Sequence, residues 1–335
     1  MSNPTIDDIA ARAGVSRSTV SRLLTGTGKV SASARAAIGQ AMAALDFLPS
    51  APAKSLRTGH TGRVGVVLHD IESQFLAMVL RGIEDGLAPF GHVPVLASMK
   101  RCPHLAEDVA ALLRPHRLAG LILLPCPLAD SQILALAAAQ PIVVAGRPIS
   151  GERVCSVSLD QARGAYAATA HLLSLGHRRI AHISGPPDHS DSAGRIAGFL
   201  QAHRAHGLAH DPALVVPGDF HEAGGERAAE QLLAGGHRFT ALFAANDQTA
   251  RGATLAFYRH GLQVPRDISV VGFDDLPSSA FLTPPLTTVR QPMRCIGLAA
   301  ASRLLRLMGL AADEAPLPAL ELVVRDSTCP PARFS

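Results

Sequence analysis

The sequence predicts an α/β protein in which a small all-α unit precedes a larger core with parallel sheets. Three observations predict it. Apolar residues recur at helical spacing through residues 6–45. From residue 63 onward, short β-branched runs alternate with amphipathic helical patterns, which is typical of parallel α/β sheets. The excess of basic residues lies within the first 60 residues.

Three short helices are predicted between residues 6 and 45. Thr5 is a suitable N-cap for the first, over residues 6–13, and Gly14 ends it. Ser16 can cap the second, over residues 17–24. Ser31 can cap the third, whose apolar face is formed by Ala34, Ile38, Met42 and Leu45. The three apolar faces together make one small core.

The first two helices and their connection fit a helix-turn-helix over residues 6–24. Gly14 tolerates the positive φ that the tight turn requires. Arg17, Ser18 and Arg22 are expected on the outer side of the second helix, where a recognition helix meets base edges in the major groove. An ordinary solvated face is the alternative interpretation of these three residues.

Charge is divided unevenly along the chain. Residues 1–60 carry seven Lys or Arg and three Asp, whereas the remaining residues carry 24 basic and 24 acidic side chains. The formal net charge of +4 therefore belongs to the N-terminal unit. A local positive field suits DNA, because neutralised phosphates release counterions and this release favours binding.

Eight strand-forming runs follow a linker rich in Pro, Gly and Thr, which marks a domain boundary near residue 60. They share a β-branched or aliphatic composition and cover residues 64–68, 93–97, 121–124, 142–144, 154–159, 180–183, 242–244 and 268–271. The length of the chain permits two parallel sheets. In such sheets ligands bind beyond the C-terminal ends of the strands, so residues after each run are candidate ligand contacts.

Other protein classes lack support in the sequence. Asp7, Asp8 and Arg12 interrupt the first apolar residues, so there is no secretory signal core, and no apolar run reaches membrane-spanning length. We expect a cytoplasmic protein with no membrane partner. The five cysteines are scattered without a Cys-x-x-Cys pair, which argues against disulfides and zinc fingers.

An α/β enzyme and a secreted solute-binding protein are the rival classes. The expected phosphate-loop and nucleophile-elbow motifs are incomplete or absent, so we expect neither an enzyme nor a cofactor. His203, His206 and His210 fall at helical spacings that a metal site could use. No Cys or carboxylate completes the set, so a solvated helix face is the expected role and no metal is predicted.

Several runs resemble the lactose-repressor family of bacterial regulators, and together they cover almost the whole chain. Two lie near the N-terminus, TIDDIA at 5–10 and KSLRTG at 54–59. Four lie in the core: GHRRI at 176–180, Ala245-Asn246-Asp247, VPRDISVVGFDD at 264–275 and TPPLTTV at 283–289. The resemblance implies a helix-turn-helix headpiece at 1–49, a hinge helix or linker at 50–60, and an effector-binding and dimerisation core at 61–335.

The resemblance also implies a homodimer whose headpieces bind a pseudo-palindromic DNA operator, with one recognition helix in each half-site. Leu56 would enter the minor groove from a hinge helix that forms on DNA within residues 50–58. Here Ser50 replaces the family's usual Asn, and Pro52 lies in the first turn, where proline is compatible with a helix. The residues expected to contact DNA are Thr5, Ser16, Arg17, Ser18, Thr19, Ser21, Arg22, Ser31 and Leu56.

For the core, the resemblance implies a fold like that of periplasmic sugar-binding proteins. Two α/β lobes, residues 63–160 with 292–327 and residues 161–291, would be joined by three crossovers and hold a ligand between them. The residues expected to contact this effector are Ser73, Phe75, Arg147, Asp160, Arg195, Phe220, Asn246 and Asp274.

The chemistry of these residues suits a polyhydroxylated ligand. Asp160 and Asp274 can accept from vicinal hydroxyls, Arg195 and Asn246 can each donate two hydrogen bonds, and Phe220 offers an apolar face to a ring. We expect a sugar or sugar derivative, with a purine or nucleoside stacked on Phe220 or Phe75 as the alternative. A ligand that prefers one lobe arrangement changes operator affinity by linkage, as an inducer or as a corepressor.

Each effector residue also has a structural interpretation. Asp274 could cap the next helix, and Arg195 could form a surface salt bridge. Phe75 and Phe220 could be ordinary core aromatics. The first lobe also departs from the family pattern, because Gln74 stands where an Asn-Pro pair often precedes the aromatic residue.

Overall fold

The computed structural model describes residues 4–25, 28–45, 47, 62–68, 71–99, 109, 118–125 and 128–332. The chain divides into an N-terminal unit and a larger unit that begins at Val64. The predicted hinge segment at 50–60, which includes Leu56, lies outside the described residues.

The N-terminal unit contains three helices, as the sequence predicts. They are α1 (Ile6–Ala13), α2 (Arg17–Thr25) and α3 (Ala32–Ala44). Ile9, Val20 and Ile38 are fully buried where the three helices meet, so each helix contributes one side chain to the centre of the core. Gly14 has φ 62°, the left-handed conformation expected for the turn that ends α1.

The first sheet of the larger unit has five strands in the order β2-β1-β3-β4-β5. Strands β1, β3, β4 and β5 pair in parallel. The strands are β1 (Arg63–Leu68), β2 (Val93–Ser98), β3 (Gly120–Leu123), β4 (Ile142–Ala145) and β5 (Val154–Val157), and the helices of this lobe are α4 (Gln74–Leu87), α5 (Asp130–Ala137) and α10 (Met293–Leu307). Helices α4 and α10 pack side by side, and their apolar faces join the strands in one core.

The second sheet has six strands in the order β11-β10-β9-β8-β6-β7. The strands are β6 (Ile180–Ser184), β7 (Val215–Pro217), β8 (Ala241–Ala244), β9 (Ser269–Asp274), β10 (Thr287–Arg290) and β11 (Glu321–Val323). The helices are α6 (Gln161–Ser174), α7 (Ser190–Ala205), α8 (Glu222–Ala234) and α9 (Asp247–Arg259). Helices α6 and α7 form one packed pair and α8 and α9 another, and each pair belongs to a separate apolar cluster that includes strands of this sheet. Strands β6, β8 and β9 are buried along their whole length, as expected for a parallel sheet with two covered faces.

Three segments connect the lobes: β5 to α6, β10 to α10, and α10 to β11. The last connection changes the predicted division of the lobes, in which residues 292–327 belonged entirely to the first lobe. Strand β11 pairs antiparallel with β10 in the second sheet, and Ser327 donates a hydrogen bond to the Val270 carbonyl at 2.6 Å. Met308, Ala312, Ala315 and Leu317 still pack against the core of the first lobe, so this lobe ends between Leu317 and β11. Three residues are too few for a period-2 pattern to reveal such a strand.

Strands β7 and β10 were also missed by the strand prediction. Strand β7 has only two valines before a proline, and β10 consists of two threonines, a valine and an arginine, so neither gives a continuous or alternating apolar pattern. No described helix combines the length and apolar composition that crossing a membrane needs.

Candidate functional site

The outer side of α2 carries the polar residues predicted to read DNA. Arg17, Ser18 and Arg22 are exposed, and Thr19 and Ser21 are half-buried. Helix α2 turns Val20 into the core, so the side that carries the polar residues is available to a partner. This is the orientation that a recognition helix requires.

Three residues predicted to contact DNA cap helices. The side-chain oxygens of Thr5, Ser16 and Ser31 accept hydrogen bonds from the backbone N–H groups three residues later, at 3.3, 3.2 and 3.2 Å. These hydroxyls therefore stabilise the starts of α1, α2 and α3, whether or not the same residues contact phosphate. Contact with DNA by these three residues remains a prediction, as it does for Leu56.

A cavity of about 430 Å³ is lined by both lobes of the core. This volume falls within the range of about 300–1,000 Å³ that is typical of small-molecule sites. The cavity brings together seven of the eight predicted effector residues: Ser73, Phe75, Arg147, Arg195, Phe220, Asn246 and Asp274. Several of these residues lie just after parallel strands, which is where the fold places ligands.

The eighth predicted residue, Asp160, is not among the residues that line the cavity. Its side chain is exposed and accepts a hydrogen bond from the Arg163 backbone N–H at 2.9 Å, which caps α6. The structure therefore shows Asp160 as a helix cap outside this cavity lining, and its contact with an effector remains a prediction.

Arg195 on α7 is 3% exposed and does not form a surface salt bridge. Its Nε donates to Gln161 Oε1 at 3.1 Å and its Nη1 donates to the Ala245 carbonyl at 2.5 Å. The guanidinium carbon lies 4.0 Å from the centre of the Phe273 ring and 5.5 Å from that of Phe220. Packing and hydrogen bonds together hold the guanidinium plane in one orientation.

Asp274, the last residue of β9, is buried in the wall of the cavity, 3.7 Å from Arg195 Nη2. Burial raises the pKa of Asp274 to about 7, although Arg195 and Gln291 both favour the charged form. The backbone of Asp274 has φ 112°, an unusual value for a residue with a side chain. A strained, buried carboxyl at the end of a strand is typical of a functional position and is not a helix cap.

Four side chains form a closed ring, and three of them line the cavity. Arg195 donates to Gln161, Gln161 Nε2 donates to Gln291 Oε1 at 3.1 Å, and Gln291 Nε2 donates to Asp274 Oδ1 at 2.7 Å. The Arg195–Asp274 ion pair closes the ring. Gln161 and Gln291 lie at two of the three crossovers between the lobes, so the ring connects the cavity wall to these crossovers.

Asn246 and Phe220 are held together. Asn246 Nδ2 donates to the Phe220 carbonyl at 2.9 Å, while its Oδ1 accepts from the Thr249 N–H and caps α9. Phe220 has φ 68°, and its ring is nearly perpendicular to the His189 ring, with 5.1 Å between centres. Phe220 is thus a half-buried wall of the cavity and not part of the hydrophobic core.

In the first lobe, Ser73 caps α4 by accepting from the Leu76 N–H at 3.4 Å. Phe75 is half-buried, packs against the first-lobe core and also lines the cavity, so its structural and ligand-binding interpretations both apply. Arg147 Nη2 donates to the Leu128 carbonyl and forms an ion pair with Asp130 at 3.2 Å.

Sequence reasoning missed several cavity residues. They share a position after a strand of the second lobe or at a crossover: Asp188, His189, Ser190, Asp191, Asp219, His221, Gln248 and Gln291. The strand-end rule could have found the first four, because they follow β6 directly along the chain. Gln291 had no such signal, because strand β10 itself was not predicted.

Two of the three histidines considered for a metal site are hydrogen-bonded to backbone carbonyls, and the third, His210, has its ring centre 6.5 Å from that of His203. His203 Nδ1 bonds to the Phe199 carbonyl and His206 Nδ1 to the Ala202 carbonyl, each one turn back on α7. Among the residues that the structure describes, no group of three or more His, Cys, Asp or Glu is arranged to hold a metal ion.

Comparison with known proteins accounts for both units. Residues 5–50 match the family model "Bacterial regulatory proteins, lacI family", and residues 169–328 match the "Periplasmic binding protein-like domain". The HTH-type transcriptional regulator GalR of Escherichia coli K12 is 34% identical over 315 residues, which cover 94% of this chain and 91% of GalR. The HTH-type transcriptional repressor PurR of Klebsiella pneumoniae strain 342 is 33% identical over 304 residues, covering 90% of this chain and 89% of PurR.

Solved structures of transcriptional regulators resemble this chain over almost its whole length. The lac repressor dimer bound to operator and the anti-inducer ONPF shares 30% identity with a TM-score of 0.84, covering 98% of this chain and all of that one. The complex of the transcriptional regulator CelR with cellobiose shares 32% identity with a TM-score of 0.73, covering 97% and 99%. All of these relatives are transcriptional regulators, which supports the prediction that this chain is not an enzyme. The chain belongs to the lacI family of bacterial regulatory proteins and is a DNA-binding transcriptional regulator.

Proposed function

We propose that this regulator is a homodimeric repressor whose affinity for operator DNA is set by a sugar or sugar derivative bound between the lobes of its core. The proposal depends mainly on the buried Arg195–Asp274 pair in the cavity wall. Carboxylate oxygens and fixed guanidinium N–H groups match the donors and acceptors of neighbouring hydroxyls. The relative CelR, which has been solved with cellobiose, supports a ligand of this class.

DNA recognition is assigned to the exposed side of α2. Arg17 forms one weak surface ion pair, with Asp7 at 3.3 Å, which it can exchange for a phosphate or a base at little cost. In a gel shift with the chain's own promoter DNA, we expect Arg22→Ala to weaken binding by about 5- to 150-fold, the range for loss of one base contact. Arg204→Ala, an exposed arginine on α7 of the core, is the control. Binding of Arg22→Ala with the same affinity as the wild type and the Arg204→Ala control would reject α2 as the recognition helix.

A second copy of the chain is expected to cover an apolar patch of the second lobe. Leu255 and Tyr258 on α9 are 42% and 77% exposed, and Phe281 is 86% exposed. Arg251 Nη2 donates to Ser278 Oγ at 2.6 Å, which holds α9 beside the short helix that carries Phe281. Several large apolar side chains exposed on one part of a surface are typical of a protein interface.

Sedimentation tests the dimer. We expect the wild-type chain to sediment as a dimer at micromolar concentration and Tyr258→Asp to sediment as a monomer. Val324→Asp, which changes an exposed valine elsewhere on the same lobe, should remain dimeric. A dimeric Tyr258→Asp would exclude this patch as the interface.

The ring of Arg195, Gln161, Gln291 and Asp274 can couple ligand binding to the crossovers between the lobes. A ligand that contacts Arg195 or Asp274 changes groups that are hydrogen-bonded to two interlobe crossovers. Such a ligand shifts the population towards the lobe arrangement that it fits better. Operator affinity then changes by the difference in the ligand's affinity for the two arrangements.

Thermal-shift screening identifies the ligand class. We expect sugars to raise the melting temperature of the wild-type chain and of the control Asp326→Ala, an exposed carboxylate, but not of Asp274→Ala or Arg195→Ala. Nucleosides that act in place of sugars would establish the purine alternative, with Phe75 and Phe220 as its stacking surfaces. A ligand insensitive to both cavity variants would reject this site.

A further inference from the structure

The charged groups around the effector cavity are unbalanced. Among its described lining residues, four are aspartates and two are arginines: Asp188, Asp191, Asp219, Asp274, Arg147 and Arg195. The number alone is not decisive, because a ligand responds to the charges that are left without partners inside the protein. Asp219, for example, is paired with Arg227, which does not line the cavity, at 2.9 Å.

Both arginines are already compensated. The Nε and Nη1 atoms of Arg195 donate within the second lobe, and its Nη2 lies 3.7 Å from Asp274 and 3.9 Å from Asp191. The Nη2 of Arg147 is shared between the Leu128 carbonyl and Asp130. Its buried Nε has no hydrogen-bond partner, which leaves one N–H for a ligand oxygen.

The acidic side retains an unused acceptor. The side chain of Asp191 is 9% exposed, and its Oδ1 atom is buried without a hydrogen-bond partner. Its Oδ2 lies 3.9 Å from Arg195 Nη2, beyond hydrogen-bonding distance. A buried carboxylate oxygen without a donor is unfavourable, and a ligand hydroxyl or amine hydrogen would satisfy it.

We infer that the cavity takes a hydroxyl-rich ligand without negative charge that donates a hydrogen bond to Asp191 and that it rejects phosphorylated and carboxylated derivatives of that ligand. The inference rests on the proposed function of the cavity as the effector site. An anionic ligand would lie beside Asp191 and Asp274 in a region of low dielectric, where the available arginines are already paired with carboxylates. Like charges placed together without water are strongly unfavourable.

Matched ligand sets test this inference by calorimetric titration of the full chain at pH 7.5. The sets are glucose, glucose 6-phosphate and glucuronate; galactose, galactose 6-phosphate and galacturonate; and adenosine with AMP. We expect one neutral member to bind and its anionic partners to bind at least 100-fold more weakly. Asp191→Asn, which removes the charge and keeps the shape, should reduce that ratio at least tenfold. Asp326→Asn, which removes an exposed carboxylate outside the cavity, should leave the ratio unchanged.

The outcomes separate this inference from the function on which it rests. An anionic member that binds as tightly as its neutral partner overturns the inference and leaves the effector site in place. A neutral preference that Asp191→Asn does not reduce overturns the role of Asp191. If no member of any set binds, the proposed effector class fails, and the inference fails with it.

Discussion

Replacement of Asp274 by asparagine should stabilise the ligand-free core at neutral and alkaline pH while abolishing the response to effector. The pKa of Asp274 is raised to about 7 by burial, so its folded state holds a proton that the unfolded chain releases near the ordinary value of 3.8. The asparagine side chain would resemble the protonated carboxyl. Its amide oxygen could still accept from Gln291 Nε2, which lies 2.7 Å from Asp274 Oδ1.

The sign and size of the change in unfolding free energy follow from proton linkage. Between about pH 4 and pH 7 the folded state binds more protons than the unfolded state, so the contribution of Asp274 to stability falls as pH rises. The difference between about 7 and 3.8, at about 1.4 kcal/mol for each tenfold change in acidity, corresponds to roughly 4 kcal/mol. The stability gap between the variant and the wild type should therefore be absent near pH 4, open up to pH 7 and be constant above it.

Urea unfolding at a series of pH values measures this gap. The chain contains no Trp, so circular dichroism is the suitable signal for the transition of the core. Asp326→Asn, which changes an exposed carboxylate, is the matched control and should show no gap that grows with pH. A gap that stays constant or shrinks as pH rises would refute the assignment of a raised pKa to Asp274, because other titrating groups are common to both proteins.

Three further perturbations test the packing and the ring. A Cβ at Gly198 would lie 2.1 Å from the Ala162 carbonyl oxygen, so Gly198→Ala should force α6 and α7 apart and cost at least about 1–3 kcal/mol in urea unfolding. Gly39→Ala has free space in α3 and should stabilise by about 0.5–1 kcal/mol; equal effects would contradict the close helix approach. Ile38→Ala, in the centre of the N-terminal unit, should cost about 2–5 kcal/mol and reduce operator binding in gel shifts while calorimetry shows unchanged effector affinity. Gln291→Leu breaks two bonds of the ring, so effector should still bind but change operator affinity by a smaller factor; an unchanged factor would exclude the ring as the coupling route.

Much of the fold could be predicted from the sequence because its signals are local. The spacing of Ile9, Val20 and Ile38 within short capped segments is enough to define a three-helix core. The strands β3, β4 and β8 are continuous apolar runs, as is β1 after Arg63, and such runs are typical of a covered parallel sheet. The resemblance to the lactose-repressor family, carried in part by the runs that contain Asn246 and Asp274, implied that both would contact the effector, and both line the cavity.

The limits of prediction were set by contacts between distant parts of the chain. Strand β11 joins the second sheet because β10 offers it a free edge, which no three-residue pattern can show. Asp160 follows β5 and Asp274 ends β9, yet Asp160 caps α6 in solvent, whereas Asp274 is buried beside Arg195 because α6 packs against β9.

The sequence by itself determined what kind of protein this is: local periodicity, helix caps and the placement of basic residues are properties of neighbouring residues, and they are sufficient for a DNA-binding headpiece and an α/β core. Only the tertiary structure decided the chemistry of the effector cavity. Gln161 and Gln291 are 130 positions apart, and the unpartnered oxygen of Asp191 exists only because folding buries it beside groups that already have partners. Burial and pairing are consequences of packing, so neither can be predicted from the identity of a residue alone.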